Sequence, residues 1–421
     1  MVYWRPRKMG EIHRRTVAVA LILVAVLVAA GIALLVTQSI TADDTTWKNP
    51  TANNATVGDG FETNSTNAYT DDGLTAVNTS GNGTSHVFYN YGLGIPDGAT
   101  IKGIEVALEW YLDSDNGTSS MSVDLSWDGG TSWTAAQTDN VESISEHRTE
   151  LGGASDNWSR SWTPDDFSDG NFRVRVTCNS TDSARDFYLD WIPVRVTYSP
   201  VLWLEVTGTG TMTAGDSNAL TITAKDSDNN TAINYTGSKI LIFTGPSAAP
   251  GGQIPTVEST NIGDNTTVSF TNGVANATLV AYRAETTTVD VSDGTIDSTS
   301  NAAYDLDLTV TAATASRLEI TGTATMTAGT TNELTITAKD SYGNVATSYT
   351  GLKTLTFSGP LAAPGGQTPT VEDITIGDNT TVNFTNGVSD SGAATLTAYR
   401  AETTTVDVSD GTISSTASTA Y

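Results

Sequence analysis

Few residues in this sequence have the type and spacing that catalysis needs. Beyond residue 36 it has two histidines, His86 and His147, and neither lies in a Gly-x-Ser-x-Gly, His-Glu-x-x-His or phosphate-loop motif. A pair of glycosidase carboxylates stays open, because such a pair needs spatial rather than sequential proximity. Without a motif to carry a reaction, the sequence predicts a protein that is not an enzyme.

Closely spaced aspartates form a second group, because carboxylate oxygens at short spacing suit a hard cation such as calcium. The candidates are Asp165, Asp166, Asp169, Asp226 and Asp228. None lies in a twelve-residue loop with a terminal Glu, and Asp also favours turns through its own hydrogen bonds. Calcium is therefore one interpretation and plain acidic turns are the other; no other cofactor is predicted.

Tryptophans form a third group, since a flat amphipathic ring can support a sugar. Seven of the nine Trp lie in residues 47–191. The alternation of apolar residues assigns three of them to a core, namely Trp110, Trp127 and Trp191. Trp158 and Trp162 remain as candidate ligand-binding residues. Packing in a core or under a loop is the alternative for both, because large aromatic side chains are mostly buried.

The sharpest local motif is SWDGGTSW, which starts at Ser126. It resembles the Asp-box hairpin, S/T-x-D-x-G-x-x-W, through Ser126, Asp128, Gly130 and Trp133. In such a hairpin the Asp accepts backbone N–H groups, Gly takes a positive φ and the Trp packs under the turn. Sialidases carry several such boxes away from their catalytic site, so a single copy predicts a rigid hairpin rather than a binding site.

The elements that position these residues begin with an apolar run over residues 17–36. Twenty helical residues span about 30 Å, the thickness of the bilayer interior. Five Lys and Arg precede the run and two Asp follow it within eight residues. By the positive-inside rule, the sequence predicts a signal-anchor helix over 17–40, a cytoplasmic basic segment over 1–16 and an extracellular remainder in a single-pass cell-membrane protein.

Two other interpretations of this run stay open. A cleaved signal peptide would make the protein secreted, although the run is longer than a usual signal core and the nearby cleavage sites are poor. A pilin-like leader would be cut after Gly10, and the helix would then pack in the core of a filament. Arg14 and Arg15, just inside that helix, argue against the pilin interpretation.

The charge and the cysteine content narrow the class of protein further. The formal net charge is −27, and only Glu11 of the 47 acidic residues precedes residue 43. Nucleic acid is therefore excluded as an expected partner. The single cysteine, Cys178, forms no disulfide within the chain, so hydrophobic cores must hold the exterior domains. Its alternation with Val174 and Val176 predicts a buried, inert thiol.

Residues 43–199 show period-two alternation and no long helical pattern. The clearest alternating runs begin at Ile104, Met121, Phe172 and Phe187. Turns rich in Gly, Asp, Asn and Ser separate these runs. The pattern predicts one jelly-roll-like antiparallel β-sandwich over 43–199, and the chain as a whole is predicted to be all-β after its N-terminal helix.

The rest of the chain is a tandem duplication. WLEVTGTGTMTAG at Trp203 returns as RLEITGTATMTAG at Arg317, an offset of 114 residues. After Val388 the second copy has three additional residues, and the offset becomes 117. Copies of about 110 residues with alternating strands are typical of immunoglobulin-like sandwiches. The predicted repeats are 200–313 and 314–421.

The second copy is predicted to lack its closing strand. The first copy runs on into DLDLTVT from Asp305, whereas the second stops at Tyr421. A sandwich without its last strand exposes an unpaired edge, which natural proteins avoid. The expectation is that the natural protein continues with that strand and with further modules.

Several motifs of the repeats resemble the bacterial immunoglobulin-like repeats of invasin- and intimin-type surface proteins. They are LTITAKD at Leu220 and Leu334, the turn at Gly343 and Asn344, YTG at Tyr349 and the strand over 354–357. The resemblance covers about 200–421 and implies an adhesive or stalk-like array that contacts a glycan or a cell-surface protein, without catalytic residues. The alternatives are a pilin-like filament subunit and the non-catalytic, carbohydrate-binding part of a secreted enzyme.

Overall fold

A computed structural model of the protein describes residues 43–54, 60–79 and 82–417. The predicted cytoplasmic segment and the helix predicted over 17–40 lie outside these residues. Within the described ranges, no helix has the length and hydrophobicity to cross a bilayer. This part of the chain is all-β, as predicted, and its helical content is limited to short 3₁₀ turns at Ser65–Ala68, Pro164–Phe167 and Ser415–Ala417.

The first sandwich is built from two sheets. Its strands are β1 (Asp43–Asp44), β2 (Ala52–Asn54), β3 (Ala76–Asn78), β4 (Thr84–Tyr89), β5 (Thr100–Leu112), β6 (Ser119–Ser126), β7 (Gln137–Asp139), β8 (His147–Gly153), β9 (Arg173–Ser180), β10 (Phe187–Trp191) and β11 (Val194–Ser199). One sheet has the order β1-β11-β5-β10-β3, with β8 also paired to β5; the other has the order β2-β4-β9-β6-β7. Both sheets contribute side chains to one hydrophobic core.

The alternation of side chains along each strand determines which residues of this sandwich lie in the core. Along β9, Val174, Val176 and Cys178 are fully buried, and the residues between them are half-buried. Burial raises the pKa of the Cys178 thiol to about 12. The thiol is thus buried and protonated, as the sequence predicted.

A β-bulge changes the predicted orientation of Trp191. β10 and β11 follow one another along the same edge of β5, and the register with β5 shifts between Leu189 and Trp191. The bulge places Asp190 in the fully buried set and leaves Trp191 half-buried. The prediction that Trp191 belongs to the core is therefore wrong, because one extra residue reverses the face on which the next side chain lies. Trp110 is fully buried, and Trp127 packs half-buried at the edge of the core.

The second sandwich also has two sheets. Its strands are β12 (Val201–Thr207), β13 (Thr211–Thr213), β14 (Ser217–Asp226), β15 (Gly237–Thr244), β16 (Thr256–Val257), β17 (Thr260–Asn261), β18 (Asn265–Phe270), β19 (Val274–Val280), β20 (Glu285–Ser292) and β21 (Leu306–Thr311). The sheet orders are β12-β14-β19-β16-β17 and β13-β21-β20-β15-β18, and β13 runs parallel to β21. Its core lies between these sheets.

The third sandwich repeats most of this arrangement. Its strands are β22 (Arg317–Thr321), β23 (Thr331–Glu333), β24 (Thr335–Lys339), β25 (Gly351–Ser358), β26 (Thr370–Val371), β27 (Ile374–Thr375), β28 (Asn379–Thr385), β29 (Val388–Ser389), β30 (Thr395–Thr397) and β31 (Asp407–Ser409). The sheet orders are β22-β24-β29-β28-β25-β31 and β23-β30-β26-β27. The counterpart of β19 is divided into β29 and β30 because the three additional residues form a turn between them.

Candidate functional site

The two histidines take part in separate packing arrangements. His86, on β4, is fully buried, and its Nε2 lies 3.1 Å from Asn53 Oδ1. His147, on β8, has its Nε2 3.0 Å from Asp139 Oδ2, which also accepts the indole N–H of Trp110 at 2.8 Å. Each imidazole ring therefore lies within hydrogen-bond distance of a neighbouring side chain. That the protein is not an enzyme stays a prediction.

The burial of His86 predicts a loss of stability in acid. Burial lowers its pKa from 6.5 to about 4. The unfolded chain takes up a proton near pH 6.5 and the folded chain only near pH 4, so stability falls as the pH falls through this window, by about 3 kcal/mol. We expect His86→Gln, which keeps a donor for Asn53, to lose much of this slope. Urea unfolding followed by tryptophan fluorescence at pH 7, 5.5 and 4 measures the slope; equal slopes in both proteins would contradict the prediction.

The Asp-box-like hairpin is held by its own side chains. Asp128 Oδ1 accepts the N–H groups of Thr131 and Ser132 at 3.0 and 2.8 Å, and these bonds hold the pKa of the Asp128 carboxyl below its usual value. Ser126 Oγ accepts the Gly130 N–H at 2.8 Å, and Gly130 has a φ of 99°. Trp133 donates its indole N–H to the Gly130 carbonyl at 3.0 Å. The arrangement makes a braced turn.

The two tryptophans proposed for ligand binding are both buried. Trp158 is 3% exposed and donates to the Ile104 carbonyl at 3.0 Å. Trp162 is 4% exposed and donates to the Asn157 carbonyl at 2.7 Å. Neither ring offers a face to a sugar. This burial agrees with the interpretation that both side chains pack in a core or under a loop, and it does not agree with the interpretation that they bind a ligand.

Among the proposed calcium ligands, the trio in residues 165–169 does not converge on one point. Asp166 pairs with Arg160 at 2.8 Å and accepts the backbone N–H of Thr163. Asp169 accepts the N–H of Gly92 at 3.0 Å, and Asp165 is exposed. These carboxylates serve a 3₁₀ turn and its neighbouring loop, as the acidic-turn interpretation expects.

The other proposed calcium pair, Asp226 and Asp228, holds a lysine of the first sandwich instead. Lys102 Nζ lies 3.1 Å from Asp228 Oδ2 and 3.9 Å from Asp226 Oδ2. Ser199 donates to Asp228 at 2.8 Å, and together with Lys102 it keeps the pKa of that carboxyl low. The ammonium group lies where a metal ion would, so this pair is part of a contact between sandwiches.

Further contacts complete this first junction. Lys239 Nζ, on β15, lies 2.8 Å from Asp97 Oδ2 of the first sandwich. Asn234 donates its side-chain N–H to the Ala99 carbonyl at 2.9 Å. A Cβ on Gly98 would lie 2.9 Å from the Val201 side chain, closer than packed atoms normally approach. The first and second sandwiches are therefore in direct side-chain contact.

The second junction is centred on Asn344, which is 4% exposed. Its side chain donates to the Tyr282 carbonyl at 2.8 Å and accepts the Ala284 N–H at 2.9 Å, both in the second sandwich. Its own N–H and side-chain N–H also bond to Asp340 at 2.8 Å. One buried amide thus joins the second and third sandwiches.

Tyr342 adds a packed surface to the same junction. Its ring centroid lies 5.1 Å from that of Tyr282, and the side chain packs against the core of the second sandwich. Its carbonyl accepts the Gly251 N–H at 2.7 Å. Tyr342 occupies the position that Asp228 has in the first repeat. The duplication could have indicated this contact. The loop that has Asp228 in the first repeat has Tyr342 in the second, and the two copies of the loop meet different neighbouring sandwiches.

A groove opens along one edge of the third sandwich. In the second sandwich, β21 lies between β13 and β20. The corresponding residues of the third, 325–327 and 402–406, are not in strands, and most of them line a groove of about 330 Å³. Met326 and Val406 are half-buried there, whereas their counterparts in the second sandwich are buried. No strand among the described residues takes the place that β21 has in the second sandwich.

An aromatic cluster on the outer face of the first sandwich was not predicted. The rings of Trp47 and Trp191 lie 6.4 Å apart, and the guanidinium of Arg148 lies 5.0 Å from each. Arg195 lies 4.7 Å from the Trp47 ring and bonds Glu105 through two nitrogens at 2.8 Å. Guanidinium groups thus pack against these rings.

No protein-family model matches the sequence, and a comparison with curated proteins finds no match. Among solved structures, the chain is similar to the adhesin InvE of Yersinia pseudotuberculosis, at 18% identity over 50% of this chain and 56% of that one, with a TM-score of 0.23. Invasin, a bacterial integrin-binding protein, matches at 12% identity over 80% and 55%, with a TM-score of 0.28. Domains 5–6 of the S-layer protein SbsC match at 18% identity over 51% and 94%, with a TM-score of 0.18. The chain spans about half the length of InvE and of invasin.

Proposed function

We propose that the chain is a membrane-anchored surface protein whose β-sandwiches form a stalk or an adhesive array. Residues 17–40 would be the anchor and residues 1–16 the cytoplasmic end, which the apolar run and the preceding basic residues support. The sandwich over 43–199 would lie next to the membrane. The two repeats, as immunoglobulin-like modules, would extend away from it.

The observation that carries this proposal is the pair of junctions. Modules that act independently are usually joined by polar linkers with few contacts. Here Lys102 and Asn234 bridge the first two sandwiches, and Asn344 and Tyr342 bridge the last two. Contacts of this kind restrict the angle between neighbours, which is what a stalk needs in order to hold its far end at a distance.

The surface chemistry agrees with such a role. An acidic chain repels nucleic acid and anionic lipid headgroups, so the membrane contact would be confined to the N-terminal segment. The expected partners are a glycan or a cell-surface protein, together with further modules of the same protein. Trp158 and Trp162 are buried, which weakens the alternative that the chain is the carbohydrate-binding part of a secreted enzyme.

The orientation of the chain tests the proposal. The full chain, with an epitope tag at each end, is expressed in bacteria, and intact cells are treated with antibody and with external protease. We expect the C-terminal tag to be accessible and the N-terminal tag to be protected, with the protein in the membrane fraction. A mature N-terminus at Glu11 would instead support the filament subunit, and one near Asp43 the secreted protein; either result contradicts the anchored stalk.

A further inference from the structure

Three carboxylates meet on the first sandwich although they are far apart in the sequence. One oxygen each from Asp71, Glu109 and Asp190 lies within 4.8 Å of the others. Glu109 belongs to β5, Asp190 to β10, and Asp71 to the turn that follows the 3₁₀ helix at Ser65–Ala68. None of the three was among the metal ligands predicted from sequence spacing.

Asp190 lies at the β-bulge in β10. The register with β5 shifts at this residue, so that Leu189 pairs with Trp110 and Trp191 pairs with Glu109. Asp190 is thus the extra residue of the bulge, and one oxygen of its carboxylate lies within 4.8 Å of one from Glu109. Bulges that re-aim a side chain are frequent next to functional sites.

One oxygen of Asp190 is buried without a partner. The residue is fully buried, and its Oδ2 accepts the Gly73 N–H at 3.1 Å. Its Oδ1 is also buried and has no hydrogen-bond partner. A buried carboxylate oxygen without a donor or a cation is costly. The carboxylate that carries this oxygen is the same one that meets Asp71 and Glu109.

The cluster carries more negative charge than the positive groups around it balance. Burial, reinforced by neighbouring carboxylates, raises the pKa of Glu109 and of Glu146, which lies beside Asp190. Burial also raises the pKa of Asp190 itself. Arg148 contributes one positive charge at 3.5 Å from Glu109 and shares it with Glu150 at 3.0 Å. One shared guanidinium does not balance the carboxylates around it.

We propose that Asp71, Glu109 and Asp190 bind a calcium ion. Calcium–oxygen distances of about 2.3–2.6 Å keep the ligand oxygens of one ion within about 5 Å of one another, and the three oxygens here lie within 4.8 Å. A site with three or more carboxylates suits calcium, because magnesium keeps several waters and is usually held by one or two. The ion would give Asp190 Oδ1 the partner that it lacks.

Calcium bound here would join separate parts of the sandwich. The turn that carries Asp71 already touches β10 through the Gly73 bond to Asp190 and through a backbone bridge between Tyr69 and Trp191. A shared ion would fix this turn, the bulge and β5 to one another. The expected consequence is a more stable first sandwich when calcium is present.

The test uses the full chain, purified in detergent, freed of metal with a chelator and titrated with calcium chloride in a calorimeter. We expect one site per chain and a rise of several degrees in the thermal midpoint of the tryptophan fluorescence transition. Asp190→Asn keeps the shape of the side chain and should lower the calcium affinity at least about tenfold. Because it removes a repelling charge, it should also raise the midpoint of the metal-free protein.

Two further variants make the result decisive. Glu109→Gln should lower the calcium affinity in the same way. This second variant keeps the proposal testable if Asp190→Asn does not fold. Asp115→Asn, an exposed carboxylate of the same sandwich outside the cluster, should bind calcium as the unaltered chain does. The proposal is wrong if the titration with calcium gives no heat of binding, or if all four proteins bind calcium with equal affinity. The three residues would then be carboxyl groups that share protons without a metal ion.

Discussion

Asn344→Ala is expected to release the third sandwich from the second. The substitution removes the bonds to the Tyr282 carbonyl and the Ala284 N–H and leaves both groups at a closed interface without partners. Such a loss costs about 2 kcal/mol, which lowers the ratio of docked to undocked modules about 30-fold. The third sandwich should remain folded, because its core lies elsewhere.

Distances between spin labels measure this release. Cysteines introduced at Thr267 and Thr381 occupy equivalent exposed positions on β18 and β28, and the native Cys178 is buried and inert. We expect a narrow distance distribution in the parent chain and a broad one with Asn344→Ala. Asn230→Ala is the matched control, since Asn230 is the counterpart of Asn344 in the first repeat and its side chain is exposed. Equal distributions in both variants would show that Asn344 does not hold the junction.

A peptide with the sequence of residues 304–312 is expected to bind the third sandwich and stabilise it. In the second sandwich, β21 buries Leu306, Leu308 and Val310 between β13 and β20. The corresponding groove of the third sandwich offers Met326 and Val406 to such a strand. Burial of these three side chains favours binding and the ordering of the peptide opposes it, so the net affinity is modest.

Saturation compensates for modest affinity. At a peptide concentration of about 100 times Kd, binding adds about 2.7 kcal/mol, which corresponds to a rise of about 10 °C or more in the melting temperature of a domain of about 100 residues. Hydrogen exchange should slow in residues 325–327 and 402–406. The control peptide carries Leu308→Asp, which places a charge at a buried position. If both peptides shift the melting temperature equally, or if neither does, the groove is not a strand acceptor.

Local pattern was sufficient for much of this fold. Strict alternation in β9 predicted which face of the strand is buried, because a strand directs successive side chains to opposite faces whatever surrounds it. The repeated sequence placed equivalent strands in the second and third sandwiches. The three additional residues after Val388 were also visible, and they correspond to the turn that divides the counterpart of β19.

Alternation failed where the regular spacing of the strand is interrupted. Trp191 was predicted to be buried by counting in twos from Phe187, and the bulge at Asp190 reversed its face. Trp158 and Trp162 lie in irregular segments, for which no periodicity exists. The indole N–H of Trp158 finds its acceptor, the Ile104 carbonyl, on a strand from another part of the chain.

The sequence by itself determined the all-β class, the duplication and the faces of the regular strands, because all three depend on neighbours along the chain. The tertiary structure decided which residues act together. Asp71, Glu109 and Asp190 come from three segments that only the folded sheet brings within 4.8 Å. Asp228, whose spacing made it a candidate metal ligand, forms an ion pair with Lys102 across a junction. Contacts between distant segments depend on register, bulges and module packing, which short-range spacing does not encode.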